Sequence, residues 1–260
     1  MRERLSKSPV GELLTLTDDI GIYDCENFFL EGAIKRYPFS HWLDHLAPLH
    51  VKLLDDYRDR SYKSGDDFEP LKDALVTNLR NGGFEDQANE LADALDEKVL
   101  NGLIVRQYTE ETGLYPAINQ LLRKGHSGED VSGSPLTPWI CQLAVALRNF
   151  PEFVGTSYRG TEMSEANADK YFPGEIFIWA PFTSASKKID SCFGGNVIFE
   201  IVPVSALSER DKRAPRDIAG LSVYPSEEEV LLPMCCAYRP TSVERRGDVR
   251  HIRVEILDHN

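Results

Sequence analysis

Three consecutive carboxylates, Glu227, Glu228 and Glu229, stand where a turn meets a short apolar run. The turn is Tyr-Pro-Ser at 224–226 and the apolar run is Val-Leu-Leu-Pro at 230–233, which together predict a loop that enters a buried strand. A strand register that begins near Glu227 puts Glu227 and Glu229 on one face and Glu228 on the other. Two carboxylates that close raise each other's pKa and lower stability, which is typical of sites that bind a ligand or substrate. The alternative is a solvated acidic turn that caps the strand.

Two further segments carry residue types suited to binding a charged ligand. The segment Ser157–Thr161 places Arg159 at the end of a predicted strand with Gly160 directly after it. Arginine offers planar, bidentate donors for phosphate, and glycine lets a ligand approach the backbone closely. In Phe182–Ser186 the hydroxyl of Ser184 could hold a carboxylate in one orientation. Each segment also has an ordinary interpretation, as a solvated arginine at a strand end and as a serine- and threonine-rich strand edge.

The order of these elements resembles a known family. An arginine at 159, an aromatic-Thr-Ser-x-Ser strand at 182–186 and Glu-x-Glu-Val-Leu-Leu at 227–232 are similar to the R-S-E class of mono-ADP-ribosyltransferases, the cholera-toxin-like, arginine-specific group. Upstream, Tyr-Thr at 108–109 and the segment Tyr115–Arg123 resemble that family's Tyr-Thr and Tyr-x-x-Ile-Asn-x-x-Leu-Arg motifs. The resemblance covers roughly residues 100 to 260, and the four motifs together are more specific than any one of them.

The resemblance implies NAD as the substrate, no metal, and a role for each matching residue. Glu229 matches the catalytic glutamate, which accepts a hydrogen bond from the ribose 2′-hydroxyl and stabilises an oxocarbenium-like state. Ser184 matches the residue that orients this glutamate, and Arg159 matches the arginine that binds the NAD phosphates. Gly160 matches the position whose backbone pairs with the nicotinamide amide. Phe193 falls where the family places an aromatic ring against the nicotinamide.

The first glutamate of the motif indicates which type of residue accepts the ADP-ribose. In the family, Glu-x-Glu accompanies arginine acceptors, so the resemblance implies that Glu227 grips and partly deprotonates a guanidinium. Tyr224 lies where the family often places an aromatic that touches the target protein, although it could equally be a packed turn tyrosine. Ala185 departs from the usual threonine of the serine motif. The expected activity is transfer of one ADP-ribose to an arginine of a target protein, and the alternatives are an NAD glycohydrolase and an inactive NAD-binding or partner-binding module.

The elements that must position these residues form two sets. Helical spacing of apolar residues runs from Cys25 to about Leu100, with breaks at 64–67 and at Gly82-Gly83. A second helical set follows at Tyr115–Leu122 and Trp139–Leu147. Short strand-like runs then take over at Phe153–Tyr158, Glu175–Trp179, Val197–Val204, Glu229–Leu232, Cys235–Tyr238 and Val249–Leu257. This pattern predicts an α+β fold in which an N-terminal helical layer, residues 1–100, packs on a C-terminal antiparallel β-sandwich, the catalytic domain of residues 101–260.

Bulk composition limits the partners. The chain of 260 residues has a formal net charge of -13 and a pI near 5.0, which argues against binding nucleic acid or an anionic membrane. The five cysteines lack metal-ligand spacing and predict free thiols, and His41 and His45 lack the glutamate typical of a zinc helix. No secretory or membrane-inserting segment is visible, so the expected location is the cytoplasm or, for a secreted effector or toxin, a host cytosol. The charged run Ser208–Asp217 could contact a target or could be a solvated loop.

Overall fold

The computed structural model describes residues 27–29, 68–126, 131, 133–174, 177–203, 214–234 and 236–256. The positions of His41 and His45, of Cys25 and Cys235 and of residues 208–213 in the charged run lie outside this described part. Within it, no helix is long and apolar enough to cross a membrane.

The first half of the described chain is a layer of helices. They are α1 Phe68–Asn81, α2 Glu85–Ala92, α3 Glu97–Thr109, α4 Leu114–His126, α5 Thr137–Ala146 and the short α6 Glu165–Ala168. Helix α1 ends where Gly83 adopts a φ of +84°, a conformation that favours glycine. Helix α3 begins at Asp96, whose carboxylate accepts a hydrogen bond from the Val99 amide at 2.8 Å. The break expected at Gly82-Gly83 therefore separates α1 from α2, and the break expected at 64–67 lies outside the described residues.

These helices share one apolar core with part of the sheet. Helices α1 to α5 contribute fully buried residues such as Leu75, Ile104 and Trp139, and the same cluster includes Phe182 and Leu231 from the strand half. A division of the chain at residue 100 would fall inside α3. The helical layer thus packs directly on the strands that carry the candidate site.

The described residues also form one nine-stranded sheet, most of it in the second half of the chain. Its strands are β1 Asn27–Phe29, β2 Ser157–Thr161, β3 Phe177–Trp179, β4 Thr183–Ser186, β5 Val197–Val202, β6 Arg216–Asp217, β7 Glu229–Leu232, β8 Cys236–Arg246 and β9 Val249–Ile256. The hydrogen-bonded order is β1-β3-β8-β9-β5-β2-β4-β7-β6. Strands β2, β4 and β7 are therefore neighbours, although long stretches of sequence separate them. The predicted α+β class is confirmed.

Strand β7 is covered on both faces. Leu231 belongs to the core shared with the helices, whereas Val230 and Leu232 belong to a second core inside the sheet. Alternation along the strand therefore places Glu229, two residues before Leu231, on the face toward the helices. This double burial explains the continuous apolar run after the carboxylates.

Three details of the sheet differ from the sequence prediction. Asn27–Phe29 is a strand that pairs with Phe177–Trp179, not the start of a helix, because a short aromatic segment fits either element and its strand partner decides. Strand β2 begins at Ser157 rather than Phe153, and β8 continues to Arg246. The β5/β9 pair is parallel in an otherwise antiparallel sheet, which is possible because a long stretch of chain and not a hairpin connects the two strands.

Candidate active site

The three central residues of the candidate site are brought together by strand pairing. Arg159 lies on β2, Ser184 on β4 and Glu229 at the start of β7. Antiparallel pairing sets Ser184 opposite Leu231 and Ser186 opposite Glu229. The hydrogen-bonded pairing of the strands thus sets the distance between these side chains, independently of any direct contact between them.

Glu229 is a buried carboxylate held by two hydroxyls. Glu229 is only 5% exposed, and its Oε2 accepts a hydrogen bond from Ser222 Oγ at 2.7 Å. Ser184 donates a second hydrogen bond to the carboxylate. Burial raises the pKa of Glu229 above its ordinary value, and the two serine hydrogen bonds and the positive charge of Arg159 oppose this rise. These contacts fix the orientation of a carboxylate that is largely removed from water.

Arg159 joins this group through β4. Its Nη1 donates a hydrogen bond of 2.8 Å to the backbone carbonyl of Ser184. Because the same residue contributes a backbone acceptor to Arg159 and a hydroxyl to Glu229, Ser184 lies between the cation and the anion. A displacement of β4 would therefore disturb both charged groups.

Glu227 reaches the site from a turn rather than from the strand. Pro225–Glu227 forms a single 3-10 turn, and Glu228 follows in the left-handed conformation with φ 47° and ψ 52°. The expected strand register beginning at Glu227 is therefore wrong, since β7 starts at Glu229. The expected pairing of the two carboxylates is nonetheless present, because burial, then the charge of Glu229, then that of Glu111 raise the pKa of Glu227.

A cavity of about 250 Å³ lies between the helices and these strands. All seven residues singled out from the sequence line it: Arg159, Gly160, Ser184, Phe193, Tyr224, Glu227 and Glu229. Helices α3 and α4 close the opposite side with Tyr108, Tyr115 and Asn119. The Tyr108 hydroxyl lies 2.9 Å from both Asn119 Oδ1 and the Phe182 carbonyl oxygen, which ties the helices to the start of β4.

Gly160 has a packing reason to lack a side chain. A Cβ built on this residue would lie 1.6 Å from the Phe193 carbonyl oxygen, so the 193–194 backbone crosses directly over it. Phe193 is 62% exposed and its side chain lines the cavity. The close backbone approach therefore places an exposed aromatic ring at the cavity mouth.

Comparison with known proteins gives relatives in sequence and in structure. A scan against models of protein families finds no match. Two curated proteins provisionally named NAD(+)-arginine ADP-ribosyltransferases are similar in sequence. Mav of Mycobacterium avium is 32% identical over 123 residues, which are 46% of this chain and 13% of Mav. Vis of Vibrio splendidus is 28% identical over 148 residues, which are 55% of this chain and 59% of Vis. The match thus spans little of Mav and a little over half of Vis.

Solved structures show the same fold. The ADP-ribosyltransferase HopU1 of Pseudomonas syringae pv. tomato is 21% identical, with 72% of this chain and 87% of that chain covered and a TM-score of 0.53. The type III effector XopAI of Xanthomonas axonopodis pv. citri is 17% identical, with 81% and 99% covered and a TM-score of 0.53. The chain therefore has the fold of these solved structures and is similar in sequence to the two proteins named NAD(+)-arginine ADP-ribosyltransferases.

Two residues of the candidate site carry no clear signal in the sequence. Ser222 lies in the loop before the glutamates, and nothing about its type or spacing indicates that it touches Glu229. Glu111 lies between α3 and α4, far from the glutamates in sequence, yet it lines the same cavity. Only the packing of the helices on the sheet brings Glu111 near Glu227.

The departure at Ala185 also has a structural reason here. Ala185 is 5% exposed, pairs with Val230 and packs in the core inside the sheet. It points away from the Ser184 hydroxyl along the strand, as alternation requires. An apolar side chain therefore suits this position. Its described residues also hold no group of three or more potential metal ligands.

Proposed function

We propose that this protein transfers a single ADP-ribose from NAD to an arginine of a target protein and releases nicotinamide. The observation that carries the proposal is the convergence of Glu227 and Glu229 on one cavity with Arg159 and Ser184. Similarity to two proteins named NAD(+)-arginine ADP-ribosyltransferases supports the same reaction.

The reaction begins with cleavage of the bond between nicotinamide and its ribose. The electron pair of this bond goes to the ring nitrogen of the leaving nicotinamide, and C1′ of the ribose takes on positive charge. A fixed negative charge in a water-poor site stabilises such a state more than bulk water does. Glu229 supplies that charge from a buried position in which its hydrogen bonds already hold it.

The serines serve the carboxylate rather than the sugar. Ser184 and Ser222 donate hydrogen bonds to Glu229 and favour its ionised form, against the burial that favours the neutral form. The ionised carboxylate then accepts a hydrogen bond from the ribose 2′-hydroxyl while charge develops on the ring. Both serines therefore act on the protonation state and orientation of Glu229.

The NAD molecule is held by residues around this carboxylate. Arg159 supplies a planar cation for the phosphates, and its bond to the Ser184 carbonyl fixes the guanidinium relative to Glu229. The backbone of Gly160 pairs with the nicotinamide amide, and the exposed ring of Phe193 packs on the nicotinamide. Their shared position at one cavity wall supports this assignment.

The acceptor binds at the turn that carries Glu227. A guanidinium is protonated at physiological pH and must give up a proton as its nitrogen bonds to C1′. Glu227 accepts that proton, and Tyr224, which is 37% exposed at the cavity, contacts the target protein around the arginine. The raised pKa of Glu227 suits a general base, because such a group works best near the operating pH.

The partner and location extend the proposal. The partner is a protein with an accessible arginine, and the acidic chain favours a basic surface around it. The fold is shared with a bacterial type III effector, which supports an action inside a host cell. The chain spans 59% of Vis and 13% of Mav, so the activity and targets of a whole protein are part of the proposal.

The proposal is tested with labelled NAD and agmatine, a small guanidino acceptor, with free nicotinamide and labelled agmatine counted separately. We expect Glu229→Gln to lower both products by about 10²- to 10³-fold, the usual effect of removing one electrostatic stabiliser. We expect Glu227→Gln to lose agmatine labelling and to keep nicotinamide release. Glu244→Gln, an exposed carboxylate on β8, is the matched control and should keep both activities.

Three other results would contradict the proposal. Nicotinamide release without labelling of agmatine by the unaltered protein indicates an NAD glycohydrolase or a non-arginine acceptor. Absence of nicotinamide release indicates a binding module without this activity. Equal loss of both products in Glu227→Gln assigns that residue to NAD cleavage instead of the acceptor.

A further inference from the structure

The middle glutamate of the triplet has an unusual backbone. Glu228 adopts φ 47°, and among the described residues it is the one non-glycine residue with a positive φ. A residue with a Cβ is unfavourable in this left-handed region, so its surroundings must stabilise it. The chain passes at this single residue from the 3-10 turn of Glu227 into the strand of Glu229. The conformation of Glu228 therefore sets the angle between the two carboxylates that line the cavity.

Two contacts hold Glu228 from the end of β4. The Lys187 amide donates a hydrogen bond of 3.1 Å to the Glu228 carbonyl oxygen. Lys188 forms an ion pair with the Glu228 carboxylate through its Nζ. The middle glutamate is thus gripped at both its main chain and its side chain by two consecutive residues.

The neighbouring lysine provides an internal comparison. The Lys187 side chain pairs with Asp217 on β6, with Nζ 2.7 Å from Oδ1, and it does not reach the Glu228 carboxylate. Lys187 and Lys188 carry the same charge at adjacent positions but brace different partners. Loss of the Lys188 side chain removes a contact to the turn, whereas loss of the Lys187 side chain keeps the amide bond to it.

We propose that Lys188 is a positioning residue for the acceptor site, which it orders by holding Glu228 in the left-handed conformation that directs Glu227 into the cavity. This inference rests on the proposed function, since it names the residue that places the proposed acceptor base. Lys188 itself touches neither the sugar nor the acceptor in this scheme. Its influence passes through the backbone of Glu228 alone.

The two carboxylates depend on this contact to different degrees. Glu229 is held independently by Ser222, by Ser184 and by its place at the start of β7. Glu227 has no such strand position, because it ends the 3-10 turn directly before Glu228. Weakening the Lys188 contact therefore shifts Glu227 and leaves Glu229 in place. Transfer to arginine should suffer while NAD cleavage continues.

The experiment measures labelled agmatine and free nicotinamide in the same reactions for Lys188→Ala. We expect the ratio of transfer to nicotinamide release to fall by about two- to fivefold, the range that corresponds to a partly exposed ion pair. The KM for agmatine should rise while the KM for NAD stays unchanged. The difference from the unaltered protein should shrink in high salt, because salt screens an exposed ion pair.

Variants of Glu228 test the backbone step. Glu228→Ala loses the ion pair but keeps a Cβ, so it should lower the ratio as Lys188→Ala does. Glu228→Gly reaches the left-handed region without strain and should restore the ratio. In the Glu228→Gly background, Lys188→Ala should have no further effect. Lys187→Ala, the matched charge control, should leave the ratio unchanged.

The outcomes separate this inference from the proposed function. If the unaltered protein labels agmatine and Lys188→Ala has the same ratio, the positioning role is wrong while the function stands. An equal fall of the ratio in Lys187→Ala would show a general charge effect and overturn the inference. A low ratio in Glu228→Gly would also overturn it, because the ion pair would then act by some route other than the backbone. If the unaltered protein neither labels agmatine nor releases nicotinamide, the proposed function itself fails.

Discussion

The cavity has two walls that are built in different ways. The strand wall consists of Arg159, Gly160, Ser184 and Glu229, which lie on three paired strands. The turn wall consists of Glu111, Tyr224 and Glu227, which lie between elements or in the 3-10 turn. Backbone ladders fix the first group, whereas local contacts fix the second. Under the proposed function, the strand wall performs the chemistry common to any acceptor, and the turn wall selects the acceptor.

The electrostatic surroundings of the two walls also differ. On the strand wall, burial raises the pKa of Glu229, but two serines and Arg159 act to lower it. On the turn wall, every cause acting on Glu227 raises its pKa: burial, the charge of Glu229 and the charge of Glu111. The strand wall therefore supplies groups that offset the effect of burial on its carboxylate. The carboxylate of the turn wall would instead be stabilised in its ionised form by a cation from outside the protein, such as an arginine side chain.

Among the substitutions that test this division, the largest effect is expected from adding one methyl group to the strand wall. In Gly160→Ala the new Cβ would meet the Phe193 carbonyl, so the 193–194 backbone must move. A shift of about 1 Å at a reacting site can lower the rate by about 10²-fold. We expect nicotinamide release and agmatine labelling to fall together by that factor, with a loss of about 1–3 kcal/mol in the free energy of unfolding. Both are measured on one preparation, by the two-product assay and by urea unfolding.

The control for this substitution is Gly220→Ala. A Cβ on Gly220 meets no atom within 4 Å, so it adds the same methyl group without a clash. The variant should keep both activities and the unfolding midpoint. If Gly160→Ala lost labelling alone, the assignment of Gly160 to the strand wall would be wrong.

A smaller effect is expected from Ser222→Ala, which removes a hydroxyl that supports the strand wall from a loop. The Glu229 carboxylate then loses its 2.7 Å hydrogen bond and its pKa rises further, because that bond favours the ionised form. We expect both products to fall by about tenfold, which corresponds to one hydrogen bond to a charged group. The acid limb of nicotinamide release should move to higher pH. A loss confined to agmatine labelling would instead place Ser222 with the turn wall.

The residues of the strand wall could be predicted because their types and their order along the chain resemble the motifs of a known family. The sequence contains recognisable motifs around Arg159, Ser184 and Glu229, and each motif lies in a segment whose composition is typical of a strand. Their convergence follows once β2, β4 and β7 are adjacent. The α+β class follows from the same periodicities.

The turn wall and its supports are not encoded in the same way. The left-handed Glu228 replaces the expected strand register, and an acidic residue gives no local signal for that conformation. Ser222 and Glu111 reach the site through packing between distant elements, which no single segment specifies. The sequence pattern predicts a helix over Asn27–Phe29, because three residues cannot distinguish two periodicities, and only pairing with β3 decides.

The smallest expected effect tests whether Glu111 belongs to the turn wall. Its charge helps to raise the pKa of Glu227, whereas the causes that act on Glu229 do not include it. In the proposed reaction, transfer requires ionised Glu227, so transfer should be lost as pH falls through the pKa of that residue. Glu111→Gln removes a repulsion and lowers this pKa, and the acid limb of agmatine labelling should therefore move to lower pH. The acid limb of nicotinamide release should stay in place.

At neutral pH Glu111→Gln should weaken acceptor binding, because it removes a negative charge that attracts the incoming cation. We expect the KM for agmatine to rise by about two- to fivefold, as for an exposed pair of charges, and to do so less in high salt. Glu110→Gln is the matched control, since the Glu110 carboxylate pairs with Arg106 at 3.5 Å instead of lining the cavity. An unchanged acid limb and KM in Glu111→Gln would remove Glu111 from the turn wall. A shift in the acid limb of both products would mean that Glu111 acts on the whole cavity, and that the two walls are not electrostatically separate.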